Sequence, residues 1–129
     1  MFNRKDLYIN IKLTRREITR KFAIPLAEGK LTAHFGHCQA FAVVEVEGKA
    51  IKNKETLVPP PHEPGVLPKW LHDQGANVII AGGMGARALE LFAQNDIKVI
   101  VGAAALTPEE LVTQYLDNTL QSGGNVCDH

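Results

Sequence analysis

The sequence lacks features that several large classes of protein require. Its 129 residues include only two cysteines, Cys38 and Cys127, which are too few for a disulfide-based scaffold. It has no run of about 18 apolar residues, and its first residues lack the apolar stretch of about 7–15 residues found in secretory signals. These absences predict a cytoplasmic protein that does not span a membrane. Whether the two cysteines come within disulfide range is left open.

The sequence also lacks net charge, because 14 basic residues balance 14 acidic ones. The balance is uneven along the chain. Residues 1–21 carry seven basic and two acidic side chains, a net of +5, and residues 22–129 carry seven and twelve, a net of −5. This pattern predicts a basic extension over residues 1–20 that packs on the acidic domain, joins copies in a homo-oligomer or docks another partner. Neither a nucleic-acid nor a membrane partner is predicted.

Residues 21–129 have the length and composition of one soluble α/β domain. Apolar and β-branched runs predict strands, the last two of them buried on both faces, and helical spacing followed by breakers predicts helices. Their alternation predicts a three-layer α/β/α fold with a mixed five-stranded sheet and helices on both faces. The predicted strands are residues 22–26, 41–47, 50–58, 78–81 and 97–101, and the predicted helices are 66–74, 86–94 and 107–120.

The histidines and cysteines are concentrated in loop-like segments. Imidazole and thiolate are the ligands that borderline and soft metals prefer, so the segments together predict a metal site. Standard zinc spacing is absent, and each residue alone has an ordinary explanation as a buried or hydrogen-bonded loop residue. The candidate ligands are His34, His37, Cys38, His62, Cys127 and His129, whereas His72 falls on a predicted helix surface.

A glycine-rich turn joins the fourth predicted strand to the helix that follows it. Backbone amides in such a turn, at a helix N-terminus, suit an anion. No Gly-Lys-Ser/Thr follows, which excludes a P-loop, and the acidic residue of a dinucleotide site is missing after the next strand. The alternative is a tight turn that needs the backbone freedom of glycine. The candidate anion-binding residues are Gly82, Gly83, Met84, Gly85 and Arg87.

Five segments, in this order and spacing, resemble the dinitrogenase iron-molybdenum cofactor biosynthesis family. The resemblance covers residues 21–129. The HFG segment and the AGGMG segment resemble the general family pattern, and the proline-rich loop and Cys-Asp-His end resemble a Cys/His-rich subgroup. The segments are KFAIP from Lys21, HFGHC from His34, PPHEPGVLP from Pro60, VIIAGGMGARALELF from Val78 and NVCDH from Asn125.

The resemblance implies a ribonuclease-H-like fold and a carrier of a metal–sulfur cluster, iron-molybdenum or iron–sulfur, that is not an enzyme. It also implies a P-loop ATPase of cluster assembly as a partner. The family's HFG histidine corresponds to His34, and the other candidate ligands belong to the subgroup motifs. A single zinc-like ion with a structural or sensing role remains the alternative. A ribonuclease-H-like enzyme is disfavoured, because the first predicted strand holds none of the carboxylates that two-metal chemistry needs.

Overall fold

The computed structural model of the protein describes residues 19–32, 38–61 and 65–120. Strands come first in these ranges, and helices then alternate with strands. The strands are β1 (Thr19–Ala27), β2 (Lys30–Leu31), β3 (Ala40–Glu47), β4 (Ala50–Leu57), β5 (Val78–Ile80) and β6 (Lys98–Ile100). The helices are α1 (Val66–Asp73), α2 (Ala86–Gln94) and α3 (Pro108–Leu116). No helix in the described part of the chain has the length and apolarity needed to cross a membrane.

One mixed sheet organises the fold, in the order β4-β3-β1-β5-β6. β1, β3 and β4 pair antiparallel, and β5 and β6 run parallel to β1. This arrangement confirms the predicted mixed α/β sheet and is compatible with a ribonuclease-H-like topology. The short strand β2 was not predicted; it pairs with the end of β1, and two residues are too few to produce a recognisable alternation.

Helices cover both faces of the sheet. Phe22 and Ile24 of β1 belong to an apolar cluster that includes Leu111 and Val112 of α3. Ala23 of β1 belongs to a second cluster, which includes residues of α1 and α2. Alternate residues of a strand point to opposite faces, so one central strand contributes to both cores. The predicted three-layer architecture is therefore confirmed.

The sixth strand corrects the prediction that residues 97–101 form a fully buried strand. Lys98 is exposed, and Val99 and Ile100 are only half-buried. The reason is that β6 lies at the edge of the sheet and pairs only with β5. By contrast, β5 lies between β1 and β6, and all three of its residues are buried, as predicted.

The first strand begins two residues before the predicted start of the domain. Thr19 pairs with Glu47 and Arg20 with Val46, so both belong to the sheet. The rest of the predicted extension, residues 1–18, lies outside the described residues. Its predicted role as a separate basic segment therefore stays a prediction.

Helix α3 begins with the capping box that its sequence predicts. The N–H of Glu110 donates to Thr107 Oγ1 (3.3 Å), and the N–H of Thr107 donates to Glu110 Oε1 (3.2 Å). We expect Thr107→Ala to lower the free energy of unfolding by about 1 kcal/mol, measured by chemical denaturation. Thr113→Ala, at an exposed position within α3, is the matched control and should not destabilise the protein. Equal losses in both variants would contradict a role for the cap.

Candidate functional site

The described parts of three predicted site segments adjoin one edge of the sheet. β1, β5 and β6 end at this edge. β3 is antiparallel to β1 and so begins there, and β4 is antiparallel to β3 and so ends there. Cys38 lies two residues before β3, the proline run follows β4, and the glycine-rich turn follows β5. Loops at the carboxyl ends of parallel strands are where α/β sheets usually form binding sites. We call this end of the strands the carboxyl edge, as distinct from the lateral edges formed by β4 and β6.

Cys38 is the one candidate metal ligand that lies within the described residues. It is a free thiol, 8% exposed, in the apolar cluster that contains Leu67 and Leu71 of α1. Burial raises the pKa of the Cys38 thiol above its usual range, and a backbone hydrogen bond opposes this only in part. The thiol is therefore protonated at neutral pH, and a metal that binds it must displace a proton.

Gln39, which sequence reasoning missed, fixes the backbone next to Cys38. Its N–H donates to the carbonyl oxygen of Leu26 (2.7 Å), and its side-chain Oε1 accepts a hydrogen bond from the N–H of Glu28 (3.1 Å). These bonds join the start of β3 to the end of β1. The only signal in the sequence was a polar residue between a cysteine and an apolar run, a pattern too common to predict such a role.

The other candidate ligands lie outside the described residues, so their role stays a prediction. Residues 33–37 leave β2 just after Thr32, whose N–H donates to the carbonyl oxygen of Pro25 (3.0 Å), and they rejoin the described chain at Cys38. Within the described ranges, no group of three or more His, Cys, Asp or Glu residues could hold a metal ion. The candidates outside them are His34, His37, His62, Cys127 and His129.

The glycine-rich turn is fixed to the core from two sides. The carbonyl oxygen of Gly82 accepts a hydrogen bond from the N–H of Gly102 (2.9 Å), which extends the pairing of β5 and β6 beyond the strands. The side chain of Met84 is fully buried, in the same apolar cluster as Cys38. Met84 thus anchors the turn through its side chain, and only its backbone remains a candidate for ligand contact.

Backbone strain does not explain the glycines of this turn. Positive φ occurs at Gly102, after β6, but not at Gly82, Gly83 or Gly85. At Gly85, φ is −68° and a Cβ atom would meet nothing within 4 Å. Left-handed backbone therefore does not account for these three glycines, and a tight turn that needs glycine for another reason stays an alternative. The exposed position at Gly85 leaves room for an external group.

Where this turn meets α2, two backbone N–H groups have no acceptor among the described residues. Among the described residues, nothing accepts a hydrogen bond from the N–H of Gly83 or of Gly85. Gly85 caps α2 without a side-chain hydrogen bond, and the first turn of α2 contains Arg87 and no acidic residue. In α3, by contrast, a capping box and two glutamates serve the same positions. Free amides, the positive end of the helix dipole and an exposed arginine together favour an anion.

Comparison with known proteins identifies the family. Residues 20–118, most of the chain, match the family described as "Dinitrogenase iron-molybdenum cofactor". The chain belongs to this family. The predicted resemblance is thereby confirmed, and the match includes both Cys38 and the glycine-rich turn. The family's connection with the iron-molybdenum cofactor indicates a role in handling a cofactor.

One protein sequence and two solved structures illustrate what this chain is similar to. An uncharacterized protein of Methanocaldococcus jannaschii, MJ0580, is 32% identical over 106 residues, and the match covers 78% of this chain and 89% of the relative. The crystal structure of PH0822 has 30% identity and a TM-score of 0.74, over 79% of this chain and 93% of that one. The apo orange protein of Desulfovibrio gigas, at 22% identity and a TM-score of 0.65, shares the fold over 82% and 94%.

Proposed function

We propose that this protein binds and carries an anionic metal–sulfur cluster at the carboxyl edge, and that it does so without catalysis. The observation that carries the proposal is the pair of amides at Gly83 and Gly85 that find no acceptor among the described residues, next to Arg87 and on a turn anchored by Met84 in the same apolar cluster as the Cys38 thiol. The family's connection with the iron-molybdenum cofactor supports a cluster as the cargo.

The glycine-rich turn and Cys38 suit different atoms of a cluster. Bridging sulfides carry negative charge, and amide N–H groups at a helix N-terminus stabilise such charge. Thiolate is a preferred ligand of iron and other soft or borderline metals. In the proposed complex, Cys38 ligates a metal and the amides of Gly83 and Gly85 bind cluster sulfur. Histidine ligands from residues 33–37 and 62–64 complete the proposed ligand set, with Cys127 and His129 as further donors.

Anaerobic reconstitution tests the cluster proposal. Protein purified without oxygen is incubated with iron and sulfide, or with thiomolybdate, and separated from unbound metal by gel filtration. We expect charge-transfer absorption and co-eluting metal and sulfide. Colourless protein that retains one zinc ion and no sulfide would favour the single-metal alternative. Failure to retain any metal would overturn both.

The raised pKa of Cys38 predicts that cluster retention increases with pH. Since the free protein holds a thiol and the complex a thiolate, affinity should rise by about tenfold per pH unit for the one proton displaced. The appropriate range is about pH 7 to 9, which lies below the raised pKa of the Cys38 thiol. Retained iron is measured after gel filtration at each pH. An affinity independent of pH over this range would contradict ligation by Cys38.

The interaction partners expected from the sequence are also proposals. We propose a P-loop ATPase of cluster assembly as the donor or acceptor of the cargo, and a homo-oligomer that uses the basic amino-terminal residues. Deletion of residues 1–18 leaves β1 complete, because that strand begins at Thr19. An oligomeric state unchanged by the deletion, measured by light scattering, would overturn the second proposal.

A further inference from the structure

A cavity of about 600 Å³ lies at the edge of the sheet opposite the carboxyl edge. Arg20, near the start of β1, lines it, together with Lys98 at the start of β6 and Lys49 in the turn between β3 and β4. The last turn of α3 forms a further wall. This volume lies within the range of about 300–1,000 Å³ typical of small-molecule sites.

Three cationic side chains in this cavity have no carboxylate partner in the described part of the chain. The ion pairs there join Lys21 to Glu45, Lys52 to Glu47 and Lys54 to Glu109. Arg20, Lys49 and Lys98 take part in none of them, and no acidic residue among those the structure describes lines the cavity. The domain as a whole is acidic, so a cavity lined by three unpaired cations departs from its average composition. Such a cavity attracts an anion with more than one negative charge.

Tyr115 contacts two of these cations through its ring. The guanidinium carbon of Arg20 lies 5.9 Å from the centre of the Tyr115 ring, and Lys98 Nζ lies 5.8 Å from it. The ring itself packs edge-on against the buried ring of Phe22, with 5.1 Å between the centroids. Cation–π attraction thus positions both charges on a ring fixed by the core, which lowers the entropy cost of binding an anion.

Three apolar side chains also line the cavity, together with Gly48 and Asn118. Ile100, Leu116 and Leu120 are half-buried and line the cavity beside the cations. An inorganic anion alone would leave this surface without a partner. A ligand that matches the whole cavity has a multiply charged anionic end and an apolar body of a few rings.

We propose that this cavity binds a phosphorylated small molecule with a flat apolar body, of the size of a nucleotide. Arg20, Lys49 and Lys98 bind the phosphate oxygens, and Ile100, Leu116 and Leu120 contact the body of the ligand. A phosphate group presents two charges and several acceptor oxygens in a small volume, which suits converging cations better than single carboxylates do. The site is independent of the proposed cluster site, since the two occupy opposite edges of the sheet.

Titration of the full isotope-labelled protein with ADP, adenosine and pyrophosphate, followed by NMR, tests this proposal. We expect ADP to shift the amide signals of Gly48 and Lys98 and to bind more tightly than either of the other two probes. Lys98→Gln and Arg20→Gln should each weaken ADP binding by about tenfold, as expected for loss of a charged hydrogen bond. Lys69→Gln is the matched control, because it removes an exposed lysine of α1 that does not line the cavity.

Four outcomes would overturn the proposal. ADP binding that none of the cavity variants weakens would show that these cations do not hold the phosphates. Equal affinity for pyrophosphate and ADP would show that the apolar wall takes no part. Changes in amide signals confined to residues 83–87 would show that the anion binds at the glycine-rich turn instead. Unchanged spectra with all three probes would exclude this class of ligand.

Discussion

The Cys38→Ala variant is expected to lose the iron and sulfide that the parent protein retains after anaerobic reconstitution. Loss of a residue that merely orients a metal ligand typically lowers metal affinity about 10–100-fold, and we expect loss of the ligand itself to cost at least as much. The measurement is metal and sulfide per chain after gel filtration, with charge-transfer absorption as a second readout. Retention equal to that of the parent would remove Cys38 from the site.

The control must separate a lost ligand from a weakened core, because Cys38 is buried. Its thiol lies in the apolar cluster under α1, so its removal should lower the free energy of unfolding by about 1 kcal/mol. Val46→Ala removes buried apolar atoms from the opposite cluster and should destabilise the fold at least as much. That variant should nevertheless retain the cluster. Loss of metal from both variants would attribute the effect to stability instead of ligation.

Much of the fold is predictable because its elements have strong local signals. The glycine-rich turn and the asparagine after Gln94 delimit α2, and its predicted bounds are the observed ones. The capping residues of α3 fix its start. Burial is harder to predict, as β6 demonstrates. Its apolar residues indicate a strand but do not indicate that it lies at the edge of the sheet, which depends on pairing with distant residues.

The candidate site is only partly predictable for a related reason. A run of glycines between a strand and a helix is visible in the sequence, but the burial of Met84 and the ordinary φ values around it are not. The cavity with three cations left no sequence signal at all. Arg20, Lys49 and Lys98 belong to three separate segments, and the pairing of β1 with β3 and β5 brings those segments to one edge.

A carboxylate at position 85 is expected to change stability and cargo binding in opposite directions. In Gly85→Asp, the new side chain enters open space and can cap the free amides of α2, which should raise the free energy of unfolding by about 0.5–1 kcal/mol. The same charge lies where the sulfur of the cluster is proposed to bind, so repulsion should weaken cluster retention by about tenfold or more. Chemical denaturation and retained metal are measured on the same preparation.

The Gly85→Asn variant separates the effect of negative charge from the effect of helix capping. Asparagine caps a helix about as well as aspartate and has nearly the same shape, but it is neutral. We expect this variant to be slightly more stable than the parent and to retain much more cluster than Gly85→Asp. If the two variants retain equal amounts of metal, charge at the turn does not matter and the cluster binds elsewhere. If aspartate improves stability and abolishes retention while asparagine preserves it, the amides of this turn bind an anion, because a defect in folding cannot give that combination.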